Sequence, residues 1–178
     1  MKGLRAYGAA VVMAAGALWL MSGTAREHLV LGGDAPESIG ALESRVAARP
    51  NDARETEALA QQYLDARQPG LAIVLVEGAP ASVRDDVRTQ HILARALIDA
   101  GRNGDAFAVE TRVLKMCGAF AEGKSSDGCD TVLLASAMRR TDILRELLAR
   151  GIEDARAHPE TSLVAYLNAT RQARVALE

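Results

Sequence analysis

The sequence predicts an all-α protein built from stacked helix pairs, and three observations carry that prediction. The stretch Leu59-Ala60-x-x-Tyr63 followed by Ala72 returns thirty-four residues later as Leu93-Ala94-x-x-Leu97 followed by Ala106. A repeat at that period is the signature of paired helices that stack into a solenoid. Aromatic residues make up only 3% of the 178 residues, whereas alanine is abundant. Helix packing tolerates such a composition, while a β-sandwich core usually draws on β-branched and aromatic mass. Finally, Pro50, Pro69, Gly101 and Pro159 punctuate the stretches of helical periodicity, as turn and cap residues do.

In chain order, residues 1–25 form a targeting segment. Lys2 and Arg5 precede an uncharged run, residues 6–21, with Val11, Val12, Leu18, Trp19 and Leu20, and small residues follow at Ser22 to Ala25. That layout fits a secretory signal cut after Ala25 or a retained membrane anchor. The run is long for a signal and short for a spanning helix, so both readings stay open. It has no polar face, which disfavours a buried core helix. No cysteine follows it, which argues against a lipoprotein anchor. In either case the positive end stays inside and the remainder is exported. Residues 26–37 read as a linker, broken by Gly32-Gly33, with Asp34-x-x-Glu37 as a helix-start signal. Residues 38–178 read as the helical repeat domain.

Within that domain Ile39, Leu42 and Val46 have helical spacing and form a lone helix capping the first unit. Asp52 is an N-cap, with Glu55 three residues on. The first unit pairs helices over 53–66 and 69–77. The second pairs 87–100 with 104–116. Leu59 and Tyr63, like Leu93 and Leu97, lie four apart and share a face. Ala60, Ala72, Ala94 and Ala106 are small where helix axes approach closely. Gly101 serves as a left-handed C-cap, and Gln68-Pro69-Gly70 is expected to do the same in the first unit. Residues 78–84 separate the units, with Ser82-x-x-Asp85 as a capping signal.

Residues 118–128, rich in glycine and serine, read as a loop bracketed by Cys117 and Cys129, the only two cysteines. In an exported chain such a pair reads as a disulfide. Closing the loop contributes about 3 kcal/mol in the chain-entropy model. Residues 131–158 look like a third unit, with Leu134, Ala135 and Met138 in the places of Leu93, Ala94 and Leu97, and with Thr141 or Asp142 capping its second helix. A closing helix over 159–177 presents Leu163, Tyr166, Leu167 and Val175 to the stack.

The pattern resembles a degenerate tetratricopeptide repeat over roughly residues 50–160. The small residues stand at the eighth and twentieth positions of the unit, Leu59 and Leu93 at the seventh, and Tyr63 and Leu97 at the eleventh. The chain departs from that family at the fourth position, where Thr56 and Gln90 replace a large aromatic. Glu110 also stands where an apolar residue is usual. The third unit further resembles an ankyrin unit, but that period does not continue upstream. The tetratricopeptide resemblance implies a right-handed α-solenoid. It also implies a concave groove on the first helix of each unit, lined here by Arg54, Glu57, Gln61, Leu64 and Asp65, then by Arg88, His91, Arg95, Ile98 and Asp99. Arginine clamps carboxylates in a bidentate manner, so Arg54, Arg88 and Arg95 suit an acidic peptide.

Chemistry is sparse along the chain. There is no phosphate-cradling glycine loop, no His-Glu-x-x-His and no Gly-x-Ser-x-Gly. The three histidines are scattered and no Cys-x-x-Cys exists, so neither a metal nor a cofactor is expected. The net charge of −2 and the lack of a basic stripe exclude a nucleic-acid partner. The expectation is an exported, non-enzymatic helical-repeat adaptor for protein–protein interaction in a bacterial envelope assembly or secretion complex. It would be periplasmic, or single-pass in the inner membrane through residues 6–21 with its C-terminal domain in the periplasm. Two alternatives remain: a thiol–disulfide redox-responsive envelope protein using Cys117 and Cys129, and an accessory subunit of a large membrane complex.

Overall fold

A computed structural model describes residues 37–121 and 128–175. Over these residues the protein is all-α, with no strand. Its elements are α1 (Ile39–Ala48), α2 (Ala53–Asp65), α3 (Pro69–Glu77), a single turn α4 (Ala81–Arg84), α5 (Val87–Asp99), α6 (Asn103–Ala121), α7 (Thr131–Ala149), a 3-10 turn (Ala155–Ala157) and α8 (Pro159–Val175). The targeting segment and Asp34 lie outside the described residues. Among the described residues no helix is long and apolar enough to cross a membrane.

Local chemistry sets the helix ends, and it repeats. Asp52 caps α2 by accepting from the N–H groups of Arg54 and Glu55, and Asp86 caps α5 by accepting from Arg88 and Thr89. These two caps stand thirty-four residues apart, and each satisfies donors that a helix N-terminus leaves unpaired. The expected signal Ser82-x-x-Asp85 caps nothing: Ser82 lies within α4, and Asp86 does the capping. At the other end Gln68 N–H bonds Tyr63 C=O and Arg102 N–H bonds Leu97 C=O, both at 2.8 Å. The left-handed residues that allow this closure are Gly101 (φ 77°) and, one period earlier, Arg67 (φ 58°). The expected Gln68-Pro69-Gly70 stop therefore works through an arginine held in the region glycine favours. Gly151 (φ 71°) ends α7 in the same way, with Ile152 N–H bonding Leu147 C=O.

Packing follows chain order. Each long helix lies against the next, α2 also packs on α5, and α5 touches α7. The largest core cluster draws Leu42 from α1, Leu59, Ala60 and Tyr63 from α2, Ala72 and Val76 from α3, Leu93 and Leu97 from α5, and Ala106 from α6. Ala60, Ala72, Ala94 and Ala106 are at most 1% exposed, so their small size sets how closely the axes approach. Thr56 and Gln90, standing where the resemblance expects an aromatic, are equally buried. They fill the site with hydrogen bonds instead: Thr56 Oγ1 to Asp52 C=O, and Gln90 Nε2 to Arg84 C=O.

The third unit departs from its expected form. No turn occurs at Thr141 or Asp142, because α7 runs unbroken over that stretch. Thr141 is buried there and its hydroxyl bonds back to Ala137 C=O at 2.8 Å, the alternative that a mid-helix threonine takes to capping. The buried stripe is Leu133, Ala137, Thr141, Leu144 and Leu147. Leu134 is therefore only partly buried, Ala135 is exposed, and Met138 is 54% exposed. Helix α7 packs on both α6 and α8. Helix α8 packs through Ala165 and Ala169, whereas Leu163, Tyr166 and Leu167 face outward.

Helix α6 also runs further than expected, through Gly118 to Ala121. Gly118 meets nothing within 4 Å, so its missing side chain leaves no steric mark on the helix. Cys117 consequently sits on α6, fully buried, and is joined to Cys129 just before α7, with the two Cα atoms 5.6 Å apart. The disulfide packs with Val87, Val113, Leu133 and Ala137 in a second core cluster.

Candidate functional site

The helices α2, α5 and α7 lie in a row, and two adjoining depressions open along them. The first, about 800 Å³, takes Arg54, Glu57 and Arg88 together with the α1–α2 turn and Gly128. The second, about 280 Å³, takes Glu57, Gln61, Arg88, His91, Arg95 and the α7 residues Ser136 and Arg140. Of the ten residues that the repeat register places on the groove, six, Arg54, Glu57, Gln61, Arg88, His91 and Arg95, line one or both. Glu57 and Arg88 line both and form the boundary. Leu64 and Ile98, read as groove positions, instead belong to or pack against the core, and Asp65 and Asp99 line neither depression.

The arginines of the groove are not equivalent. Arg88 Nη2 donates to Asp130 Oδ2 at 2.7 Å. Arg95 donates to Gln61 Oε1 at 2.9 Å, a bond between the same register positions of successive units. Asp65 lies 3.9 Å from Arg95 as well. Arg54, in the first turn of α2, is exposed. The groove therefore alternates cations and acids. Asp130 is fixed from two sides: its Oδ1 caps α7 by accepting from Leu133 N–H at 2.8 Å, and its Oδ2 meets Arg88. The Leu133 N–H first, and the Arg88 guanidinium with it, hold the Asp130 carboxyl below the usual carboxylate range.

Beneath the groove lies a residue that sequence reasoning did not place there. Glu110 on α6 is fully buried. Its carboxylate accepts from Arg140 Nη1 at 2.6 Å and from His91 Nδ1 at 3.0 Å. Arg140 Nη1 also donates to His91 C=O at 3.0 Å, and His91 Nε2 lies 3.2 Å from Ser136 Oγ. The ring thus lies between the Glu110 carboxylate at Nδ1 and the Ser136 hydroxyl at Nε2. The one signal in the sequence was that Glu110 breaks the apolar pattern of the resemblance. Its partners lie nineteen residues before it and thirty after it, beyond the reach of any local spacing rule.

Ser136, His91 and Glu110 share the contact order of a nucleophile relay. Two features give the cluster another character. Ser136 sits inside α7, where backbone N–H groups are spent on the helix and do not converge on an oxyanion. The Glu110 carboxylate is shared with Arg140. The arrangement joins α5, α6 and α7 through one satisfied polar network. Among the described residues no group of histidine, cysteine and acidic side chains is placed to hold a metal ion. No protein-family model matches the chain, and no curated protein or solved structure matches it significantly.

Proposed function

We propose that the protein is an exported helical-repeat adaptor, an α-solenoid of tetratricopeptide-like units. In this reading it docks an acidic segment of another envelope protein across the polar faces of α2, α5 and α7. It serves an envelope assembly or secretion complex, from the periplasm or tethered by residues 6–21. One observation carries the reading. Of the ten residues that the repeat register places on the groove, six line two depressions that share Arg88 and Glu57. The groove is open and carries charged side chains presented by α2 and α5, which suits an extended segment held by side-chain contacts. The thiol-based alternative draws less support, because Cys117 is fully buried and Cys129 nearly so, and reactive thiols sit in accessible microenvironments.

The test is affinity capture by the full-length chain in mild detergent from solubilised envelope, beside the double variant R88E/R95E. The reading predicts a stoichiometric partner that the variant loses while its far-UV circular dichroism stays unchanged. Equal capture by both proteins would overturn the groove.

A further inference from the structure

The groove contains a carboxylate of its own, and its placement has a consequence for the ligand. Asp130 sits on the Arg88 guanidinium through a single N–H contact at 2.7 Å. It cannot follow Arg88 if that side chain turns toward a ligand, because three features fix its position. Its other oxygen is bound to the first turn of α7. Its neighbour Cys129 is bonded to Cys117 in the core. Gly128 presses its backbone on α5, where a Cβ would come within 2.7 Å of Val87 Cγ1 and 3.8 Å of Arg88 Cγ. Gly128 has φ 100°, so both its conformation and its space require glycine. The segment from Gly128 to Asp130 is thus a strap pinned across the stem of Arg88, the residue at the boundary of the two depressions.

We infer that Asp130 is a tethered internal competitor that occupies Arg88 in the empty groove, and that a ligand carboxylate must displace it. The inference rests on the proposed docking of an acidic segment. It adds a specificity rule to that docking: the tethered carboxylate weakens every ligand that uses Arg88, so the groove favours segments with several acidic side chains, which engage Arg54 and Arg95 as well. The disulfide contributes by holding the strap, so cleaving it loosens the competitor. Arg88 and Asp130 are each about half exposed, so their contact is screened and modest. Its removal is expected to tighten binding by about two- to fivefold.

The experiment uses D130N, because asparagine caps a helix as well as aspartate does and the substitution removes only the charge. The probe is a fluorescently labelled penta-glutamate peptide, with penta-glutamine as control. Anisotropy is read on the full-length chain in mild detergent at low salt. The expected result is binding of penta-glutamate alone, tightened about two- to fivefold by D130N. A C117S/C129S variant should tighten it too, and adding D130N to that variant should give less than the product of the two gains, since both act on one contact. Unchanged or weaker binding by D130N, with the wild type binding normally, overturns the competitor and leaves the docking groove standing. Failure of both wild type and D130N to bind penta-glutamate overturns the docking reading and this inference together.

Discussion

Arg67 and Gly101 occupy one position in two successive units, and both are left-handed. The left-handed region costs a residue with a side chain roughly 1–2 kcal/mol. We therefore expect R67G to raise stability, by about 1 kcal/mol after the added freedom of the unfolded glycine is deducted, read as a shift in urea midpoint at unchanged slope. G101A should lower it, since its Cβ would fall within 2.6 Å of the Asp154 side chain. The pair Glu110 and Arg140 makes a second, asymmetric prediction. Glu110 is fully buried, whereas the Arg140 side chain is 21% exposed at the groove. Replacing the acid, as in E110Q, leaves an arginine that reaches water and costs about 1 kcal/mol. Replacing the cation, as in R140M, leaves a buried carboxylate without its main partner and costs about 3 kcal/mol or more. Urea unfolding of the two variants decides the matter, and an equal or larger loss from E110Q would contradict this account of the network. The left-handed Gly101 was legible as a C-cap, but the Glu110 network was not, beyond Glu110 being out of pattern, because it is made by residues from three helices.

At the scale of the element, what the sequence encodes locally is what it reveals. The Asp52 cap, the Leu59–Tyr63 and Leu93–Leu97 faces and the small alanines depend on neighbours within one turn or one period, and the structure has them as expected. Helix α7 was misread because Thr131 to Ala149 contains a cap-like Thr141-Asp142, while tertiary burial of Thr141 decided for a continuous helix. The apolar face of α8 was misassigned for a related reason. Alanine makes the close contact there, and Leu163, Tyr166 and Leu167 point away, while the Val175 side chain lies outside the described residues. One element carries a pH signature. Tyr63 on α2 donates its hydroxyl to Glu43 on α1 at 2.6 Å. That hydrogen bond, then burial and the nearby charge, push the phenol from 10.0 up to about 12. A group whose folded value is raised contributes stability that is complete below its unfolded value and is lost as pH rises through the folded one. The clamp of α1 on α2 should therefore weaken between pH 10 and about 12. Y63F should lose stability less steeply than the wild type across that window in thermal melts. Parallel curves would show that the hydroxyl contributes nothing there.

For the whole molecule, the disulfide and the polar network together fix how α7 stands against α5 and α6, and hence the shape of the groove. The pairing of Cys117 with Cys129 was readable from cysteine count and spacing. That it would press Gly128 and Asp130 onto Arg88 was not, since this follows from where α6 ends. The central claim is that a partner segment runs across α2, α5 and α7. The most direct measurement is site-specific photo-crosslinking of the full-length chain in envelope membranes. The crosslinking residue is placed at Gln61, inside the second depression, and separately at Val74, which is 68% exposed on α3. The account predicts a discrete partner adduct from position 61, lost in R88E/R95E, and none from position 74. An adduct from position 74 with none from position 61 would contradict it.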